Sequence, residues 1–459
     1  MSLEEDKQCS DDAVKGNSMS HDPHPAAILD LLQRFPEWIE KIHSPDEALQ
    51  LEATIQLRHL LAIEKNPPIQ QVVDAKLVPR LVSFLAYHHN PTLQLEAAWV
   101  ITNIAVGTAE HIQEVIRHGA VEHLVQLLRS PKEDVKQQAV WALGNIAGSV
   151  DQNRDCVLAG GALQPLLDIC NDKDAKLPML QNAAWTLENL VRGKPFPDFD
   201  LVKSALPTLG TLLQSDDELV LKDACLALSF LSDDSGPLNL QIQAVLDAGV
   251  APRIVELLQY KCDAVVGQAL KVVGNLVSGD NAQTQQVVDC SVLPRLAFLL
   301  HHQNKEIRKN AVWALSNITS GTTDQLQAVV EANIMPTLVH MLKMGDTKIQ
   351  REVAWALSNA AAAGFEAQVV YLAKCKCLTP LCDFLLTSSL DAKTILVVLE
   401  GIWNILRVGR SSARVVCSQT TFNGEVELFG GHLALERLLS HENIAIQQKA
   451  RCIIRDYFH

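Results

Sequence analysis

"AVWALGNIAG", residues 139–148, sets an indole and an amide four positions apart, Trp141 and Asn145, in a run of otherwise small and mostly apolar residues. On a helix, positions i and i+4 share a face one turn apart. The string returns as "AVWALSNITSG" from Ala311 and as "VAWALSNAAAAG" from Val353. "AAWVITNIAVG" with Trp99 and Asn103, and "AAWTLENLVRG" with Trp185 and Asn189, complete a set of five. The steps from Trp99 to Trp141, Trp141 to Trp185 and Trp313 to Trp355 are each roughly 42 residues, the length of one repeat in a known class of helical arrays. The stretch from Trp185 to Trp313 holds three more such periods, two of them filled by degenerate copies. "DACLALSFLSD" puts Leu226 and Phe230 in the two places, and "ALKVVGNLVSG" puts Lys271 and Asn275 there. A last copy, "VLEGIWNILRVG", has Glu400 and Asn404.

A period near 42 is the mark of armadillo and HEAT solenoids. Within residues 107–148, "GTAEHIQEVIRHG" predicts a short helix ended by Gly119, "AVEHLVQLLRS" a second, and "PKEDVKQQAVWALGNIAG" a longer third closing on Gly148. Three helices per period is the armadillo arrangement. The expected fold is therefore all-α, a right-handed armadillo-repeat superhelical solenoid of about ten three-helix repeats. The repeats are expected over 46–423, with a weaker first copy near 46–87 and a capping repeat over 424–459. Residues 1–45 form a separate acidic segment, nine acidic residues against four basic, expected to be disordered up to Pro25. Composition agrees: 48% hydrophobic and only 5% aromatic residues suit helices packed on helices.

Core packing alone explains one Trp among Ala and Leu. It explains five poorly, because Leu226 and Lys271 show that the period continues without the indole. Stacked third helices lie roughly 8–10 Å apart, so the repeats predict a ladder of Trp and Asn on one inner surface. An asparagine amide offers one donor and one acceptor type, matching a peptide's own C=O and N–H. A row of them suits an extended main chain, which advances about 3.3 Å per residue, roughly three residues per repeat. Indole faces between rungs suit the apolar stems and cationic heads of Lys and Arg. Trp99, Trp141 and Trp185 make one group and Trp313 and Trp355 another, so one peptide with two basic clusters could occupy both.

With these strings, "NPPI" at Asn66, "VGNLVSGD" and "LSHEN…QQKA…DYF" in this order, the chain resembles importin α, the adaptor family of nuclear localisation signals, from about residue 46 to 459. The resemblance implies a major peptide site at Trp99, Asn103, Gly107, Trp141, Asn145, Asn182, Trp185, Asn189 and Asp223. It implies a minor site at Asn275, Trp313, Asn317, Glu352, Trp355 and Asn359. It further implies passage between cytoplasm and nucleus with importin β and recycling by an export receptor. The chain departs from the family pattern at Ser149, Gln137, Ile112 and Asn281, where two carboxylates and a Thr in the major site and an acid in the minor site are usual. Asp151 and Asp280 lie close by. Weaker or altered cargo preference is the expectation. No Arg/Lys-rich run stands in residues 1–45, so capture of importin β in the family's usual way is not expected.

The net charge of −14 argues against nucleic acid and fits a basic partner. The chain opens on "MSLEEDKQCSDD", unlike a secretory signal, and no apolar run approaches a membrane span. The 11 cysteines are then reduced thiols in cytosol or nucleus. Cys375, Cys377 and Cys382 lack a nearby His or a second pair at finger spacing, so helical cysteines explain them better than a metal site. No phosphate loop, metal motif or nucleophile elbow appears, so no cofactor and no enzyme is expected. His88-His89 and His301-His302 read as helix-end residues, and Arg192 and Arg308 as structural cations. The alternative is an armadillo scaffold, or a non-standard adaptor working without importin β. Scaffolds for acidic partners line the same face with Lys and Arg, and here only Lys271 does so.

Overall fold

The computed structural model describes residues 31–63, 66–234, 236, 238–387, 390–412 and 431–458. The expected segment 1–45 thus falls partly outside the described residues, as does the start of the cap expected over 424–459. All regular structure among the described residues is helical. Contacts group the chain into two compact units, Met1–Pro197 and Asp198–His459, each built from the same motif.

The motif is plain in the first unit. A short helix Ala109–Arg117, a second Ala120–Leu127 and a long third Glu133–Ala147 follow one another. The first two meet at Gly119, whose φ of 79° lies in the left-handed region that costs Gly least. The same joint recurs at Lys76, Gly161, Gly249, Ser291, Asn333 and Lys376, all at positive φ. Between Gly161 and Gly249 one joint is missing: helix Phe199–Val202 runs through a 3-10 turn, Lys203–Ala205, into Leu206–Leu212.

The long helices carry the ladder. In the first unit they are α1 (Glu47–Leu61), α2 (Pro91–Ile104), α3 (Glu133–Ala147) and α4 (Leu177–Val191). In the second they are α5 (Glu218–Leu231), α6 (Asp263–Leu276), α7 (Lys305–Thr319), α8 (Thr347–Ala363), α9 (Ala392–Ser412) and α10 (Ile444–Tyr457). Several start on a side-chain cap. Asn90, Asp217, Asn304, Asp346 and Asn443 each accept a backbone N–H of the first turn, a contact worth about 1 kcal/mol. Within each unit every long helix packs on the next. Small buried residues two places before the Trp position permit it: Ala97, Ala139 and Ala183 in the first unit, Ala224, Ala269 and Ala311 in the second.

Repeats are also fastened by buried polar side chains. Gln325, 1% exposed, accepts the Thr322 N–H at its own helix start, while its Nε2 donates to the Asn281 carbonyl of the preceding repeat at 2.8 Å. Gln283 donates in the same way to Asn239 and Gln368 to Thr323. In the first unit Gln138 donates to Thr102 Oγ1 at 2.7 Å and Thr186 to the Val140 carbonyl at 3.0 Å. We expect Gln325→Ala to lower stability by about 1–3 kcal/mol, because it removes a buried amide's hydrogen bond to the preceding repeat and breaks a cap. Gln285→Ala, whose exposed amide bonds only Asp289, should change it by less than about 0.5 kcal/mol. Denaturant midpoints of the two variants give the comparison.

Candidate peptide-binding face

The first unit places Trp99, Trp141 and Trp185 on α2, α3 and α4, each half-buried. The indoles lie close against the preceding long helix. A Cβ added at Gly144 would collide with Cζ3 of Trp185, so only Gly fits under that ring. Asn103 and Asn145, also half-buried, each donate Nδ2 to a carbonyl of the preceding long helix, Arg58 and Thr102, both at a long 3.4 Å. Their Oδ1 atoms have no partner among the described residues. Asn182 is half-buried and has no partner at all among them. Asn189 differs from its fellows. It is 1% exposed, its Oδ1 accepts from Arg192 at 3.1 Å, and its Nδ2 is buried unpaired. Gly107 follows α2 and lies against the His111 ring.

Three departures from the family pattern now have surroundings. Ser149 is exposed, donates Oγ–H to the Ile146 carbonyl at 2.7 Å, and accepts from Asn153 Nδ2 at 2.9 Å. Gln113 closes this neutral network on Asn153. Asp151 sits 3.6 Å from the fully buried Arg154, so its charge is already shared. Ile112 is a core residue at 2% exposure, and Gln137 is half-buried.

The second unit places Asn275, Asn317 and Asn359 on α6, α7 and α8. Their Nδ2 atoms donate to the carbonyls of Ser229, Gly274 and Ser316 at 2.8, 3.2 and 3.2 Å. Each carbonyl belongs to the preceding long helix, and each Oδ1 again has no partner among the described residues. Trp313 lies over Gly274, where a Cβ would overlap the ring. Trp355 donates Nε1–H to Thr394 Oγ1 at 3.3 Å, which fixes its ring. Two carboxylates are perturbed by burial. Glu352, one turn before Trp355, is pushed above its ordinary range by desolvation, which Lys309 and Arg351 partly offset. Asp223, 5% exposed on α5, is pushed up to about 6 by desolvation, with Lys222 at 3.3 Å opposing. Asp223 therefore lies in the second unit, whereas the other residues expected for the major site lie in the first. Asn281 is exposed, and Asp280 caps its helix by accepting the Gln283 N–H.

Sequence reasoning missed three groups on this face. Arg58, whose place on α1 is one period before Trp99, stacks on that indole at 4.5 Å. Lys393 does so at Trp355, at 5.2 Å. Trp403 stands three places after the frame position Glu400, with Arg407 and Lys449 over its ring. The remaining candidates have bland settings. Arg308 donates to the His302 and Gln303 carbonyls, and Arg192 approaches Glu188. Burial pushes the Cys382 thiol up to about 12, against a metal-binding thiolate, and no cluster of three His, Cys, Asp or Glu that could hold a metal occurs among the described residues. No described helix is long and apolar enough to cross a membrane.

The armadillo/beta-catenin-like repeat family matches residues 65–106, 108–148, 280–320 and 322–362. Over 437 residues the chain is 46% identical to importin subunit alpha-1b of Oryza sativa subsp. japonica, covering 95% of this chain and 81% of that protein. It is 54% identical over 385 residues to importin subunit alpha-B of Dictyostelium discoideum, 84% of this chain and 74% of that one. The crystal structure of an engineered protein, 28% identical, matches with a TM-score of 0.82 over 93% of this chain and 99% of its own. Five rungs at one period, an all-helical repeat and these identities agree: the chain belongs to the importin α family, armadillo-repeat adaptors of protein import into the nucleus, and it is not an enzyme.

Proposed function

We propose that the Trp/Asn ladder is the cargo-binding device of this adaptor, holding basic nuclear localisation signals in extended form. The observation that carries the reading is the division of labour in the asparagine amides. At Asn103, Asn145, Asn275, Asn317 and Asn359 one N–H goes to the preceding helix, which fixes the amide plane. Each Oδ1 remains for a peptide backbone N–H, and at Asn103, Asn145 and Asn317 a second N–H remains as well, whereas Asn275 and Asn359 also donate to Ser232 Oγ and Ser316 Oγ. Half-buried indoles beside them offer faces to Lys and Arg stems. Trp99, Asn103, Gly107, Trp141, Asn145, Asn182, Trp185 and Asn189 form the proposed major set within the first unit, and Asp223 is proposed separately as a ligand-facing acid of the second. Asn275, Trp313, Asn317, Glu352, Trp355 and Asn359 form the minor set. Asn189 has the weakest claim to a direct contact, since it is buried.

As a member of its family the chain works between cytoplasm and nucleus, with signal-bearing cargo and importin β as partners in general. The finer reading is that the acidic stretch 1–45 does not capture importin β in the usual way, and that recycling uses an export receptor. A pull-down with the ladder blocked by peptide tests the first point: tight capture of importin β would overturn it.

Titration calorimetry with a Lys-rich signal peptide tests the ladder itself. Asn182→Ala removes a side chain with no internal partner, so it should weaken binding about two- to tenfold with little change in stability. Asn145→Ala should weaken binding and lower stability together. Ser149→Asp puts a carboxylate at an exposed position and should tighten binding by about one to two decades; unchanged affinity would count against the neutral network as the cause of weak cargo preference.

Asp223 supplies a pH signature. Its folded pKa, about 6, is raised above the ordinary 3.8, so the native state binds the proton more tightly than the unfolded chain does. Stability from this group is full below about pH 4 and is lost as pH rises through 6. Asp223→Asn should therefore be more stable than the parent at pH 7, by on the order of 2 kcal/mol, with the advantage vanishing near pH 4. Denaturant midpoints across pH 4–8 measure this. If Asp223 meets a basic ligand, the same variant should bind it more weakly at pH 7.

A further inference from the structure

We infer that Leu226 and Phe230 make an apolar rung in the second unit's ladder, which selects an aliphatic or aromatic side chain of the ligand where the indole rungs select Lys or Arg. The inference rests on the cargo-binding reading above and adds a ligand preference to it. On α5 the place of the indole is held by Leu226 and that of the amide by Phe230. Both are half-buried, as the ladder tryptophans are, so each keeps part of its side chain at the surface while the rest packs inside. They stand four residues apart and share one face of the helix. Asn275 of α6 donates Nδ2 to the Ser229 carbonyl at 2.8 Å, directly before Phe230 in the chain, and its Oδ1 has no partner among the described residues. A peptide main chain held by that Oδ1 therefore runs beside Phe230.

This rung cannot do what the indole rungs do. Leu has no π face, and Phe is a weaker partner for a cation than Trp. Neither side chain offers a donor or an acceptor, so the clamp on a peptide backbone is missing here as well. Lys271, half-buried in the indole's place on the adjoining α6, repels a second cation. The nearest acids in sequence, Asp223 and Asp233, stand three residues outside the pair at either end. Asp223 is 5% exposed and already meets Lys222 at 3.3 Å. A Lys or Arg laid across Leu226 and Phe230 would lose hydration and gain little, whereas a Leu, Ile, Met or Phe there would cover apolar surface that water now wets. The preferred ligand is therefore a basic cluster seated on Trp313 and Trp355 with an apolar residue about six positions from it, since α5 is two rungs from α7 and an extended chain passes about three residues per rung.

The test uses the full chain and a basic-cluster peptide in which a single Leu, Ala or Lys is walked through about ten residues on either flank, with Kd read by fluorescence anisotropy. Over one stretch of flank positions the parent protein should bind the Leu peptide about three- to tenfold tighter than the Ala peptide, and the Lys peptide no tighter than Ala. Leu226→Trp together with Phe230→Asn, which rebuilds the rung in the form of its neighbours, should reverse the order at those positions, Lys over Leu. Leu226→Ala should cut the Leu advantage at the same positions, and it serves where the double variant fails to fold. Lys favoured over Leu at every flank position, no position favouring Leu over Ala, or a Leu advantage unchanged in the variants that fold would overturn the inference. If no peptide of the set binds the parent, the cargo-binding reading itself falls, and with it this inference.

Discussion

The structure depends on how one repeat is fastened to the next. A three-helix repeat cannot bury its apolar face alone, so each must dock on a neighbour, and contact with neighbours is all it has. Apolar packing of the long helices supplies the bulk of that docking, through residues such as Ala139, Val140 and Ile146 that are fully buried on α3. Packing of small apolar side chains is tolerant of sliding, however. The hydrogen bonds from Asn275, Asn317 and Asn359 to single carbonyls of the helix before them are not tolerant. A slip of one residue carries the acceptor about 1.5 Å along the helix axis and more than a quarter turn around it. Gln283, Gln325 and Gln368 fasten the short helices at the same intervals. The register of the ladder follows from these bonds.

Much of this was legible in the sequence, for a definable reason. A half-buried indole and an amide four places apart are rare enough among Ala and Leu that their regular return names the period, the long helix and the face together. What the period could not give was direction. It put Asn145 and Asn317 on the face without saying that one N–H turns back to the preceding helix. It treated Asn189 as their equal, although Arg192, three residues on, draws its Oδ1 away and the amide is buried. The joints at Lys76, Ser291 and Lys376 were also illegible, because tertiary packing there imposes a left-handed backbone on residues that do not advertise it. Arg58 was missed because in the first copy the Trp position holds a cation, which looks like the end of the pattern when it is the partner of the next rung.

The same contacts also set the conflict between holding the fold and displaying a site. A residue that spends all its hydrogen-bonding capacity inside cannot bind a ligand, and one that spends none is not held in place. The ladder asparagines of the long helices sit between these limits, with donor capacity spent on the preceding repeat and the acceptor kept. The tryptophans do likewise: one face is pressed onto a neighbouring helix, closely enough that Gly144 and Gly274 must lack a Cβ, and the rest stays half-exposed. Asp223 and Glu352 stand at the costly end of the range, with carboxyls that burial pushes toward the protonated form. A cation brought beside either would relieve that cost, so part of the free energy withheld from folding becomes available to a basic ligand. At Trp99 the chain lays its own cation, Arg58, over the indole and pairs it with Glu96.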